Sequence, residues 1–232
     1  MSQEKFYLPD LDPFLTLDQE VARIQSLLDT LKPEEWTNPT RCEEWTVRDL
    51  VAHLDSVEEY NEACLKDRVE EFISGFEDLD TFNAQEIKKR AQLSNEEIME
   101  QWANRQARVR GEWAKLGLRA AIPTFKGPFP LHTQIWYINS EYATHGDDMG
   151  VFVGEEEGEF RLMWRVQFSL FALQQRENPP GLERTDDGIV VTVNDSRMTF
   201  SDEDFVSAVS ARLPLPEDPE NRMTVASLRT LV

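Results

Sequence analysis

The feature that most constrains the fold is a series of long amphipathic segments in the first two thirds of the chain. Apolar residues recur at helical spacing over about 16–31, from Thr46 to Cys64, over 95–116 and over 131–149. Each stripe gives its helix one face to bury, and four such helices can bury these faces against one another in a bundle. The charged, weakly periodic stretch 67–93 is expected to be a helix extension followed by an irregular connection.

Three of these helices carry start signals, among them Ser94 with Glu97 at the start of the third. The second has Thr46 as a candidate N-cap and Asp49 three residues later, an aspartate variant of the capping box. Trp45 and Leu50 flank that start at the positions of a hydrophobic staple. For the first helix, Thr16 is the expected N-cap.

The pattern changes in the last third of the chain. A fifth helix is predicted over 160–176, and the alternating, β-branched segment 188–195 predicts a strand. Residues 197–200 could pair with it as a hairpin across Asn194–Asp195, and Ser201 is the expected N-cap of a short helix.

These elements predict a mainly α chain with two domains. Residues 1–153 are expected to form the four-helix bundle, and residues 154–232 a small α/β C-terminal region.

Charge and cysteine content narrow the function classes. The 44 acidic and 24 basic residues give a net charge of −20, which argues against binding nucleic acid or an anionic membrane surface. No apolar run is long enough for a transmembrane helix, and the first residues lack the features of a secretory signal. Two cysteines, Cys42 and Cys64, fit a reduced, cytoplasmic setting. A small-molecule partner is expected, with the chain a monomer or a homodimer.

Two of the three histidines stand where they could share a metal ion. Glu141 and His145 are four residues apart and so lie on one helix face, while His53 is on the core face of the second helix. Bundles build metal sites from such inward-pointing residues, and two histidines with one glutamate leave a fourth position of zinc open. The alternative is an ordinary core histidine and a surface Glu–His pair. His132 is about 180° around its helix from Glu141 and is left out.

Two motifs resemble a known family. "WTNPTRCEEWTVRDLVAHL" (36–54) and "SEYATHGDDMG" (140–150) are similar to the signatures of the mycothiol-dependent maleylpyruvate isomerase family, within the metal-binding DinB-like superfamily. The resemblance implies a DinB-like four-helix bundle with a divalent metal, usually zinc, held by the residues matching His53, Glu141 and His145. The chain departs from the family's usual pattern next to these residues, at "CEEW" and at Asp147.

Asp148 matches the aspartate that follows the family's second histidine. It could hydrogen-bond the other ring nitrogen of a ligating histidine, or it could cap the helix end.

The resemblance also implies a low-molecular-weight thiol, such as mycothiol, as a second cofactor. Its sulfur would bind the open metal position and act as the nucleophile, for S-transfer to a small electrophilic substrate or for its cis–trans isomerisation. A carboxylate-bearing substrate would need a cationic partner. The candidates by location are Arg110, Arg119, Lys126 and Arg165.

Two other functions fit the same residues. A metal-dependent hydrolase would use a metal-bound water and a general base, for which Asp148 or Glu58 would serve. A non-enzymatic metal-binding or small-molecule-binding bundle would close the fourth metal position with a side chain, for which His132 or Cys42 is the candidate.

Overall fold

The computed structural model describes residues 5–74, 78–194 and 196–231, apart from the side chain of Leu79. The chain divides into two compact units, one of Asp12–Val151 and one of Met1–Leu11 with Phe152–Val232. Residues 1–11, which were expected in the bundle, group with the second unit, and the boundary expected at 153/154 stays a prediction. That the two units are independent domains stays a prediction.

The first unit is a helical bundle, and the mainly α fold class is confirmed. Its helices are α1 (Pro13–Leu28), α2 (Val47–Leu65), α3 (Val69–Ile73), α4 (Leu79–Lys89), α5 (Asn95–Leu116) and α6 (Leu131–Met149). Helix α2 packs on α5 and α1 packs on α6. A 3₁₀ helix (Pro33–Thr37) and a short hairpin of β1 (Ala121–Ile122) and β2 (Phe129–Pro130) complete the unit. In the described part of the chain, no helix is both long and apolar enough to cross a membrane.

The predicted start of α2 is confirmed, whereas that of α1 is wrong. The Asp49 amide donates to the Thr46 hydroxyl, and the Asp49 carboxylate accepts from the Thr46 amide, which is the expected capping box. Helix α1 begins at Pro13, and its N-cap is Asp12. Proline at the first helical position already has the required φ, so the helix starts one turn before Thr16.

The stretch 67–93 holds two short helices, α3 and α4, rather than an extension of α2. The buried Arg90 guanidinium at the end of α4 ion-pairs with Asp55 and Glu59 of α2, at 2.6 and 2.5 Å, and with Glu86 of α4 at 2.8 Å. Arg105 of α5 contacts the other oxygen of Asp55 at 3.0 Å. Charged contacts therefore anchor α4, which explains why a search for apolar periodicity misses it.

The second unit combines helices with a three-stranded antiparallel sheet of order β3-β4-β5. Its elements are α7 (Glu155–Gln174), β3 (Gly181–Thr185), β4 (Gly188–Val193), β5 (Ser196–Phe200), α8 (Asp202–Val209) and α9 (Pro219–Leu228). The predicted strand pair is confirmed, with Val193 opposite Ser196, while Asp195 of the expected turn lies outside the described residues. The N-cap role of Ser201 is also confirmed. Strand β3 and helix α9 were not predicted.

Candidate metal centre

The structure brings His53, Glu141 and His145 together between α2 and α6. The Oε1 atom of Glu141 lies 2.8 Å from Nε2 of His53 and 3.4 Å from Nε2 of His145. One potential ligand atom from each residue lies within 4.8 Å of the other two. Three donor atoms on two helices therefore converge on one point.

Helix geometry accounts for this convergence. His53 is in the second turn of α2, on the face that also buries Leu50 and Leu54. Glu141 and His145 are one turn apart near the C-terminal end of α6, so their side chains project in nearly the same direction. Both histidines are buried, at 5% and 6% exposure, whereas the Glu141 side chain is 25% exposed. The centre is thus largely shielded and is reachable at the carboxylate.

Asp148 contacts the opposite side of the His145 ring. Its Oδ2 atom lies 3.0 Å from Nδ1 of His145, and the carboxylate is fully buried. Burial alone would lower the pKa of His145, but the hydrogen bonds and negative charges of Asp148 and Glu141 outweigh it and raise the pKa to about 9. The end of α6 is capped elsewhere, by Gly150 in a left-handed conformation.

The pKa values of His53 and Glu141 are also shifted, both downward. Burial lowers the pKa of His53, and the charge of His145 adds to this effect. Burial would raise the pKa of Glu141, but hydrogen bonds from the two histidines hold it well below its usual range. These surroundings favour the ionised form of Glu141, the protonated form of His145 and the neutral form of His53.

Trp45 is the site residue that sequence reasoning missed. Its ring centroid lies 5.0 Å from that of His53 and 6.2 Å from that of His145. Its position before the N-cap predicts a staple contact with Leu50, and that contact stays a prediction. The sequence feature that could have indicated this contact is the position of Trp45 directly before the N-cap of the helix that carries His53.

The remaining candidate residues lie outside this cluster. His132 is partly exposed in the first turn of α6, and Cys42 is half-buried in the loop before α2. Glu58 is buried in the bundle core, where its carboxylate accepts from the Tyr142 hydroxyl at 2.6 Å and from the Asn61 amide at 3.3 Å.

The four cationic candidates have different surroundings. Arg110 forms a bidentate ion pair with Asp18, and Lys126 lies over the rings of Phe125 and Tyr137. Arg119 is exposed, and Arg165 is a buried residue of α7 in the second unit. None of these arrangements singles out a substrate-binding group.

Comparison with known proteins adds a family and a fold. Residues 17–150 match the family model described as the mycothiol maleylpyruvate isomerase N-terminal domain. The fold is similar to the crystal structure of the mycothiol-dependent maleylpyruvate isomerase, with 16% identity, a TM-score of 0.61, and coverage of 90% of this chain and 97% of that chain. A histidine-to-alanine mutant of that isomerase gives a TM-score of 0.60 with the same identity and coverage. We found no match among curated protein sequences.

Proposed function

The chain belongs to the family of the mycothiol maleylpyruvate isomerase N-terminal domain, as its two motifs predicted, and on this premise we propose a metal-dependent enzyme that uses a low-molecular-weight thiol. Its substrate would be a small electrophile. Of the two reactions that the motifs leave open, the family favours cis–trans isomerisation over S-transfer. Mycothiol, or a thiol like it, is the proposed second cofactor.

The observation that carries this proposal is the convergence of His53, Glu141 and His145. Two imidazole nitrogens and one carboxylate oxygen form a donor set that suits a divalent ion, and zinc, the metal proposed here, is held by such a set in catalytic sites. Both Nε2 atoms lie near the same Glu141 oxygen. A cation bound by these three atoms would take the place of the present attraction between the Glu141 carboxylate and the histidines. The residues present therefore fit the metal that the family implies.

Each residue has a distinct part in this arrangement. His53, Glu141 and His145 would hold the ion. The Asp148 carboxylate accepts a hydrogen bond from Nδ1–H of His145, which leaves Nε2 as the ligand atom and fixes the orientation of the ring. The pKa of a free thiol is near 8.5. When bound, the metal would lower the pKa of the thiol that coordinates it, so that the thiolate is available at neutral pH.

Hydrolysis is the weaker alternative. It needs a general base within reach of a metal-bound water. Asp148 already accepts a hydrogen bond from His145, and Glu58 accepts from Tyr142 inside the core. Both candidate bases are therefore committed to protein partners.

A purely structural metal site is also less well supported. It would need a fourth protein ligand. Within the residues that the structure describes, the ligand group comprises His53, Glu141 and His145, and it includes neither His132 nor Cys42.

The test begins with metal content, measured by mass spectrometry on protein purified without added metal or chelator. We expect about one equivalent of a divalent ion in the wild type, lost in His53→Ala and in His145→Ala. His132→Ala is the matched control, since it removes the third histidine from the same helix as His145 and should retain the ion. Retention of metal in both site variants would contradict the ligand assignment.

The thiol is tested next, by calorimetry with mycothiol. The metal-loaded wild type should bind it, and the metal-free His145→Ala variant should not. Incubation with a cis-alkene dicarboxylate then separates the two reactions, because isomerisation returns the thiol while S-transfer consumes it. A metal-loaded protein that binds no thiol would contradict the thiol-dependent function and leave the metal site intact.

A further inference from the structure

We propose that Trp45 is a positioning residue of the metal centre, which holds the imidazoles of His53 and His145 in the orientation that presents both Nε2 atoms to Glu141. This inference rests on the proposed function. It assigns Trp45 a role distinct from that of a hydrophobic staple.

The three rings form one packed cluster. The Trp45 and His53 rings have centroids 5.0 Å apart and an interplanar angle of 49°. The Trp45 and His145 rings are stacked, with centroids 6.2 Å apart and an interplanar angle of 28°. The two imidazoles meet edge to face, with centroids 4.9 Å apart and an interplanar angle of 77°. These distances and angles are those of favourable aromatic packing. The indole therefore packs against both imidazoles.

The backbone around Trp45 is fixed by hydrogen bonds. The Trp45 carbonyl accepts from the Thr40 amide at 3.1 Å and from the Thr40 hydroxyl at 2.8 Å. The Trp45 amide donates to the Cys42 carbonyl at 3.1 Å, and Glu44 closes this turn with a φ of +70°. Thr46, the next residue, is the N-cap of α2. The indole is thus attached to a fixed loop and can act as a support.

The same loop reaches the centre by a second route. The Arg41 amide donates to the Asp148 carbonyl at 3.1 Å, and the Asp148 carboxylate contacts Nδ1 of His145 at 3.0 Å. His145 is therefore held through Asp148 at its ring edge and by Trp45 at its ring face.

His53 depends on packing more strongly than His145 does. A ligating histidine usually donates its second ring N–H to a carboxylate, a carbonyl or water, and this hydrogen bond fixes the ring. The Nδ1 atom of His53 is buried and has no hydrogen-bond partner in the part of the chain that the structure describes. Its Nε2 contact with Glu141 and its edge-to-face contact with His145 hold one side of this ring, and packing against Trp45 takes the place of the missing Nδ1 hydrogen bond.

The test is a cobalt(II) titration of the metal-free full-length protein, followed by visible absorption and by competition with zinc. Trp45→Ala should bind cobalt roughly tenfold more weakly, the size of effect that supporting residues have on metal affinity. Its cobalt absorption bands should also shift, because the ligand field reports the angles of the two imidazoles. Trp45→Phe keeps an aromatic face and should restore most of the affinity. The matched control is Trp36→Ala, which removes a buried tryptophan of the preceding 3₁₀ helix and should leave the cobalt spectrum unchanged.

The outcomes separate this inference from the proposed function. A wild type that binds no cobalt overturns both. A wild type that binds cobalt, with unchanged affinity and spectrum in Trp45→Ala, overturns the positioning role alone.

A second measurement uses Trp45→Phe and serves even if the alanine variant fails to fold. Bound cobalt quenches a nearby indole, so the wild type, with its six tryptophans, should lose more emission on cobalt binding than Trp45→Phe does. Equal fractional quenching would place Trp45 away from the ion and refute the inference.

Discussion

The buried carboxyl of Glu58 should make the stability of the protein fall as the pH rises from about 4.5 to 7. The side chain is 1% exposed, and its hydrogen-bond partners, Tyr142 and Asn61, are uncharged. Burial raises its pKa from 4.5 to about 7, although these two hydrogen bonds act in the opposite direction. The folded protein therefore keeps Glu58 protonated at a pH where the unfolded chain has already ionised it.

The size of the effect follows from this pKa difference. Each unit of pKa shift corresponds to about 1.36 kcal/mol, so the change from 4.5 to about 7 corresponds to roughly 3 kcal/mol. Below pH 4.5 the group is protonated in both states and costs nothing. Between pH 4.5 and 7 the unfolded chain binds fewer protons than the folded one, so the free energy of unfolding falls with pH. The loss is complete above about pH 7.

The assay compares wild type with Glu58→Gln by urea unfolding from pH 4.5 to 8, with chelator present so that no metal contributes. Glutamine cannot ionise, so its free energy of unfolding should gain roughly 3 kcal/mol relative to the wild type across this range. The measured quantity is how the difference in free energy of unfolding between the two proteins changes with pH. The altered hydrogen bond to Tyr142 shifts this difference by the same amount at every pH and therefore does not contribute to the change. The contributions of the other titrating groups to the pH dependence are the same in both proteins where these groups are independent of Glu58, and they cancel as well.

Glu112→Gln provides the control, since it removes an exposed glutamate of α5 and should show no such pH trend. A difference between wild type and Glu58→Gln that stays flat from pH 4.5 to 8 would refute the reasoning. It would mean that the Glu58 carboxyl titrates at its ordinary pKa in spite of its burial.

Three further substitutions test other parts of the fold by chemical denaturation. Arg90→Ala should cost about 3–5 kcal/mol, because it leaves the buried Asp55 without one of its cationic partners, and a loss under 1 kcal/mol would show that α4 is not anchored there. Thr46→Ala should cost about 1 kcal/mol by removing the N-cap of α2, and an unchanged midpoint would count against the capping box. Gly188→Ala should severely destabilise the second unit, since the φ of Gly188 is +128° and an added Cβ would meet the Phe200 carbonyl oxygen at 2.2 Å. An unfolding transition at the same denaturant concentration as in the wild type would contradict the backbone conformation of this turn.

Local signals account for what could be predicted of the fold. The α2 start rests on Thr46 and Asp49, three residues apart, and the start and end of α6 match the predicted range 131–149. The missed helix α4 is a case in which tertiary contacts replace the apolar pattern. Helix α4 is held by the ion pairs of Arg90, whose carboxylate partner Asp55 is distant in sequence and leaves no local mark.

The same distinction applies to the candidate site. The spacing of Glu141 and His145 is a local property of one helix, and the motifs supplied His53 as their partner. The contact between Trp45 and the two imidazoles depends on how the loop before α2 meets the end of α6. One sequence indicates that a tryptophan precedes the helix, but not which neighbour its ring will face.

Adjacent residues of α6 explain why the ligands are within reach of one another before any ion binds. Glu141 contacts His53 of α2, and the next residue, Tyr142, contacts Glu58 of the same helix. Sliding α6 along α2 by one turn would break both contacts and leave buried polar groups unpaired, which is costly. A buried polar pair adds little net stability when its desolvation is counted, but it can select one register between two helices. We therefore interpret the Glu58–Tyr142 pair as a determinant of the α2–α6 register, and through that register of the distance between His53 and Glu141.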